Sequence, residues 1–154
     1  MGKALADAFP IARAVFAEVD DALSQKLSKI MWEGPESELT LTENAQPAIM
    51  AASMAILAIL KEGGFDLAQQ ARLVAGHSLG EYSALCAAEA FTLADTARLL
   101  KIRGVAMQNA VPLGEGAMTA LIGADIETAE AVAAQAQQSG GVCVVAWPFV
   151  FRAN

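Results

Sequence analysis

Gly76-His77-Ser78-Leu79-Gly80 is the one stretch of this chain whose residue types and spacing could place a serine nucleophile. In the pattern G-x-S-x-G the serine sits on a sharp turn between a strand and a helix. Glycines at both ends remove Cβ atoms that would clash in such a turn, and the serine backbone itself is strained. Its hydroxyl then projects at the N-terminus of the following helix. Backbone N–H groups there, beginning with Leu79, can stabilise a developing oxyanion. A serine hydroxyl also needs a base. The chain has a single histidine, His77, directly beside Ser78. Neighbours on a tight turn point in different directions, so His77 reads as a packed or polar-contact residue and the base is expected to lie outside this chain.

The elements around the turn must hold it in place. Leu73-Val74-Ala75 is a short apolar run that suits a buried strand, and Glu81 to Ala88 reads as a helix. Upstream, Leu5, Phe9, Ala12, Phe16, Val19 and Leu23 recur at helical spacing, interrupted at Pro10. Ser28 to Leu41 reads as loop. Asn44 or Thr42 can cap a following helix that tolerates Pro47 in its first turn and stops at Gly63-Gly64. Thr92 with Asp95 makes a capping-box start for a helix reaching about Ala110. Beyond it, Ala117 to Ile122 reads as strand, Asp125 to Gln138 as capped helix and Val142 to Ala146 as strand.

At this point the order of segments becomes recognisable. Gly76-His77-Ser78-Leu79-Gly80-Glu81-Tyr82-Ser83-Ala84-Leu85 resembles the nucleophile segment of malonyl-CoA:acyl carrier protein acyltransferases. Leu41-Thr42-Glu43-Asn44-Ala45-Gln46-Pro47-Ala48 is similar to the same family. So are Arg98-Leu99-Leu100-Lys101-Ile102-Arg103-Gly104 with Met107-Gln108, and Gly116-Ala117-Met118-Thr119-Ala120-Leu121-Ile122-Gly123. The resemblance implies ping-pong acyl transfer: Ser78 takes malonyl from coenzyme A as an ester and passes it to the phosphopantetheine thiol of acyl carrier protein. The product would feed fatty acid or polyketide synthesis. Leu79 matches the backbone oxyanion contact, and Arg103 the residue that holds the malonyl carboxylate. Arg103 by spacing alone is a surface helix arginine. A guanidinium nonetheless suits the task, since it offers two parallel donors to one carboxylate. Gln46 and His77 are carried as polar neighbours of the substrate.

The family pattern also sets expectations for the ends. Its members open with a strand and a Gly-Gln-Gly segment whose glutamine supplies a second oxyanion contact, and they carry their histidine base far downstream. Neither is in this chain, which reads as an N-terminal portion of the domain. The implied fold is α/β: a hydrolase-like core with a nucleophile elbow over 1–113, the first half of an inserted ferredoxin-like subdomain over 114–146, and a tail over 147–154 unlike the family. Loss of a triad member costs factors of roughly 10⁴, and of an oxyanion donor roughly 10²–10³. Turnover by the chain alone is therefore expected to be negligible. Two rivals remain: a serine esterase or thioesterase fragment, and a non-catalytic remnant that binds carrier protein.

Composition narrows the classes. The chain has 154 residues, 55% hydrophobic and 18% charged, with a mean hydropathy of +0.42. That excludes a disordered chain. A net charge of −7 is a poor match for nucleic acid or anionic membranes. The longest apolar run, Ala48 to Leu60, is 13 residues and contains Ser53, short of the roughly 18–20 a membrane span needs. Cys86 and Cys143 make no disulfide framework, and no signal peptide is legible, so a cytoplasmic location is expected. No metal-ligand spacing is present, and no cofactor is implied beyond malonyl-CoA as substrate. Arg72, Arg98 and Lys101 could help dock an acidic carrier protein; a solvated face explains them equally well.

Overall fold

The computed structural model describes residues 1–110, 115, 119, 121–140, 142–145 and 150–152. In chain order the elements are α1 (Lys3–Ala8), α2 (Pro10–Leu23), α3 (Leu27–Glu33), α4 (Glu36–Leu39), α5 (Thr42–Glu62), α6 (Leu67–Gln70), β1 (Leu73–Ala75), α7 (Leu79–Ala87), α8 (Leu93–Ala110), α9 (Ile126–Gln138) and β2 (Val150–Arg152). The break before α2 follows from Pro10. Proline disfavours helical backbone in the residue before it, and Phe9 is extended at φ −128° and ψ 114°.

Helices α2, α5 and α8 pack against one another and form the core. Phe16 and Val19 from α2, Met50, Ala51 and Ala55 from α5, and Ala97 and Leu100 from α8 are all buried. The alanines matter because small side chains let helix backbones approach closely. Phe16 meets Trp32 of α3 edge to face, with ring centroids 5.7 Å apart. Helix α5, at 21 residues, is by length and composition long and apolar enough to cross a membrane, which its interrupted 13-residue run does not reveal. Here its buried residues are part of the helical core.

The stretch expected as loop from Ser28 to Leu41 holds most of α3 and all of α4. Leu27 and Met31, one helical turn apart, are buried, and that burial selects helix over loop. The start of α3 is held from outside. The buried Asp20 carboxylate of α2 accepts from the Ser28 N–H at 2.8 Å and from its hydroxyl at 2.7 Å. The next helix forms as expected but without its expected cap. Neither Thr42 nor Asn44 caps α5; its N-cap is Leu41, with no side-chain bond. Both side chains are spent on other partners. For α8, the Thr92 hydroxyl accepts from the Asp95 N–H at 3.0 Å, as a capping box requires.

Strand β1 forms where expected, but it is not buried. Leu73 is 54% exposed and Ala75 is exposed, with Val74 half-buried between them. Among the described residues, β1 has only one strand partner. It pairs antiparallel with β2 in the register Leu73↔Arg152, Val74↔Phe151 and Ala75↔Val150. A strand in a two-stranded sheet lacks the layers that would cover both faces.

The expected strand–helix–strand unit is represented by its helix. Asp125 caps α9 by accepting from the Thr128 N–H at 2.8 Å. Of the first expected strand, Ala117, Met118 and Ala120 lie outside the described residues, and Thr119, Leu121 and Ile122 are in no strand. Val142 to Val145 are in no strand either, and Ala146 lies outside the described residues. Ile122 and Val142 are each 96% exposed. With no apolar surface to cover them among the described residues, these residues gain nothing from extended pairing. Residues 111–114, which follow α8, and most of the tail lie outside the described residues; Val150–Arg152 of that tail form β2.

Two measurements test this packing. Leu100→Ala removes a fully buried side chain between helices and is expected to cost about 2–5 kcal/mol in urea unfolding. Hydrogen bonds from Thr128 hold the Asp125 carboxyl below its usual range. A lowered folded-state pKa stabilises above the unfolded pKa and is lost as pH falls through the folded value. The protection of α9 amides, taken relative to their intrinsic exchange rate at each pH, is expected to fall on acidification, and to be low already at neutral pH in Asp125→Ala, with the core unchanged.

Candidate active site

Ser78 lies between β1 and α7 with φ 57° and ψ −114°, a backbone conformation that side-chain-bearing residues rarely adopt. Such strain costs on the order of 1–3 kcal/mol and persists only where the surroundings impose it. The turn is held by the Gly80 N–H donating to the His77 carbonyl at 2.9 Å, and the Glu81 N–H to the Ser78 carbonyl at 3.2 Å. A Cβ on Gly76 would lie 1.9 Å from the Gly80 carbonyl carbon and oxygen, so no side chain fits there. Gly80 is different from what the pattern implies. A Cβ on Gly80 would meet nothing within 4 Å. One glycine is imposed by close backbone approach and the other is not.

Leu79 is the first residue of α7, so its N–H has no intrahelical acceptor and sits at the positive end of the helix. The half-buried Ser78 hydroxyl accepts from Nη2 of Arg103 at 3.0 Å. Nη1 of the same guanidinium donates to Oε1 of Gln46 at 2.5 Å. The Tyr82 ring lies 5.9 Å from the Arg103 Cζ, at the outer limit of a cation–π contact. Three elements thus converge: the turn before α7, the first turns of α5, and the C-terminal half of α8.

What brings α8 to α5 is Gly104. A Cβ there would stand 2.4 Å from the Glu43 Cα and 2.8 Å from the Thr42 carbonyl oxygen. The contact is reinforced by Lys101, whose ammonium donates to Glu43 Oε1 at 2.9 Å and Asn44 Oδ1 at 3.0 Å. Asn44 in turn donates to the Glu38 carbonyl and accepts from Gln25.

Of the residues singled out from sequence, the fold brings together Ser78, Arg103 and Gln46, with Leu79 beside them. His77 stays apart. Its side chain is exposed and makes no hydrogen bond among the described residues. Arg98 is held by Asp95 and the Ala22 carbonyl, and Lys101 by α5, whereas Arg72 is exposed and has no side-chain partner among the described residues. A cavity of about 500 Å³ lined by Lys61, Phe65 and Glu89 lies at the far end of α7 from Ser78. Sequence reasoning gave no site role to Tyr82, Gly104 or Thr42, and considered Lys101 only for docking a carrier protein. Only a helical glycine inside an otherwise regular helix, and the one-turn spacing of Thr42 and Gln46, could have signalled them. Gly76→Ala is expected to cost about 1–3 kcal/mol or more in unfolding, whereas Gly80→Ala should stay within about 0.5 kcal/mol. Equal penalties would contradict the geometry of the turn.

Residues 1–145 match the family model described as acyl transferase domain. The malonyl CoA-acyl carrier protein transacylase of Bacillus subtilis (strain 168) is 44% identical over 146 residues, covering 95% of this chain and 45% of its own length. That of Haemophilus influenzae is 42% identical over 141 residues, 92% of this chain and 45% of its own. Among solved structures, an acyl-carrier-protein-S-malonyltransferase from Bartonella henselae superposes with a TM-score of 0.86 at 56% identity, over 95% of this chain and 46% of that one. A malonyl-transacylase in complex with its type II PKS acyl-carrier protein superposes with a TM-score of 0.83 at 40% identity, over 98% of this chain and 48% of that one. The chain therefore spans less than half the length of these relatives, and it shares their α/β fold although its described residues are mostly helical. With the match running through the strained serine turn and through α5 and α8, the chain belongs to the acyl transferase domain family.

Proposed function

We propose that this chain is the nucleophile-bearing portion of an enzyme that transfers malonyl from malonyl-CoA to acyl carrier protein, in fatty acid biosynthesis or a related chain-building pathway. The supporting observation is the Arg103 guanidinium 3.0 Å from the Ser78 hydroxyl. A fixed positive charge there favours the developing alkoxide and the oxyanion that follows. Ser78 Oγ attacks the thioester carbonyl, the C–S bond breaks, and coenzyme A leaves as its thiol with the proton taken from the serine. The carrier-protein thiol then attacks the ester and Ser78 regains its proton. Leu79 N–H faces the carbonyl oxygen in both steps. Arg103 turns its donors to the malonyl carboxylate. An acetyl group offers no such partner and leaves the guanidinium uncompensated, which supports selection for carboxylated acyl groups.

The proton carrier is supplied from outside this chain in this reading, because its only histidine is exposed beside the turn. The division into a hydrolase-like core over 1–113 and the beginning of a small subdomain over 114–146 belongs to the same proposal, as does a cytoplasmic location. An esterase acting on neutral esters is less well supported, since it leaves a charged residue beside its nucleophile with no substrate group to bind.

The purified chain, incubated with malonyl-CoA and followed by intact mass, is expected to gain a malonyl group slowly and once, without sustained transfer to carrier protein. Ser78→Ala should abolish the adduct. Arg103→Ala should slow it by about 10–100-fold, the worth of a charged hydrogen bond, and remove the preference over acetyl-CoA. A folded chain that forms no adduct would leave carrier-protein binding as its remaining role.

A further inference from the structure

The residue at the N-cap of a helix ordinarily lends a side-chain oxygen to the helix's own free amides. Thr42 opens α5, yet that helix has no side-chain cap. Its Oγ1 instead accepts from Nε2 of Gln46, one turn on, at 2.9 Å. The second contact of that NH₂ group is the Met107 sulfur at 3.4 Å, a weak acceptor. Gln46 is 3% exposed, so solvent offers little substitute.

The direction of the Gln46 amide is decided by Arg103. A guanidinium only donates, so the glutamine oxygen must face Nη1 and its NH₂ must face away. Thr42 Oγ1 is the oxygen waiting there. Turned over, the amide would set its own N–H groups against the guanidinium. The backbone packing at Gly104 holds α8 against Thr42 and Glu43, so the partners cannot drift apart along the helices.

We propose that Thr42 is a positioning residue for Arg103. It locks the Gln46 amide, the amide fixes Nη1, and Nη2 is thereby aimed at Ser78 Oγ. The consequence for Arg103 stands on geometry alone. The consequence for acyl selection rests on the malonyl reading above: loss of the Thr42 hydroxyl blunts discrimination between carboxylated and neutral acyl groups without removing the nucleophile.

The test uses the whole chain with ¹⁵N-labelled arginine and glutamine side chains. In the unsubstituted chain the Arg103 Nη1 and Nη2 groups should give separate signals, because rotation of the guanidinium is hindered. In Thr42→Val, which keeps the shape and removes the acceptor, those signals should merge and the Gln46 amide signals should shift. Thr42→Ser should restore both. Separate signals that persist in Thr42→Val would overturn the proposal, and so would freely rotating signals in the unsubstituted chain, a result that does not depend on any variant folding. In parallel, Thr42→Val should weaken malonyl-CoA binding by about three- to tenfold, as loss of one hydrogen bond implies, with acetyl-CoA binding unchanged. Merged signals with an unaltered malonyl-to-acetyl ratio would uphold the positioning role and overturn the malonyl assignment of Arg103.

Discussion

The backbone of α8 passes so close to the first turn of α5 that no side chain fits at Gly104, and the site depends on that contact. A Cβ there would force the helices apart. Arg103 is the adjacent residue on α8 and Gln46 lies one turn along α5, so any such separation would be felt between them at once. Close packing also explains why a residue in mid-helix is glycine despite its cost of roughly 1 kcal/mol relative to alanine. Lys101 bridges the same two helices from the other side of Gly104, with its ammonium between Glu43 and Asn44. Lys101 and Glu43 are about a quarter to a third exposed, so their value is geometric more than energetic.

Around this contact the polar groups form one directed chain. The Gln46 amide donates to Thr42 and accepts from Arg103, and Arg103 donates to Ser78. Each member can take only one orientation once the cation is placed, because a guanidinium has no acceptor. The arrangement leaves Ser78 as an acceptor whose own proton remains free to leave. It also puts a positive charge, a helix N-terminus and the strained Ser78 within one small volume, the features on which the proposed acyl transfer draws.

The periphery is looser than the core. Helices α2, α5 and α8 bury alanine, leucine, methionine and phenylalanine side chains completely, whereas β1 is open on the face carrying Leu73 and Ala75. Helix α9 buries a single alanine. The relatives are more than twice as long, and this chain exposes apolar residues along α5 and α8 as well as at Leu73 and downstream of α8, where Ile122 and Val142 are the most exposed. Side chains such as Ile122 and Val142 have no covering surface among the described residues, and the described residues of the two strands expected there are in no strand.

Local patterns alone determined the long helices and the glycine-flanked turn that carries Ser78, because helical periodicity and turn chemistry act over a few residues. They also carried the capping of α8 and α9, which depends on residues three apart. Arg103 and Gln46 stood in motifs of family type, but their meeting is a matter of tertiary structure: 57 positions separate them in the chain. Patterns missed α3, whose helix is selected by burial of Leu27 and Met31 and by the carboxylate of Asp20 from another helix. They overstated Gly80, where the fold leaves open space, and misassigned the Thr42 hydroxyl, which the packing diverts from its own helix end to Gln46. Short-range sequence specified which groups could do chemistry. Only the crossing of α8 over α5 decided which of them face one another, because hydrogen-bond partners far apart in the chain are chosen by helix packing and not by spacing.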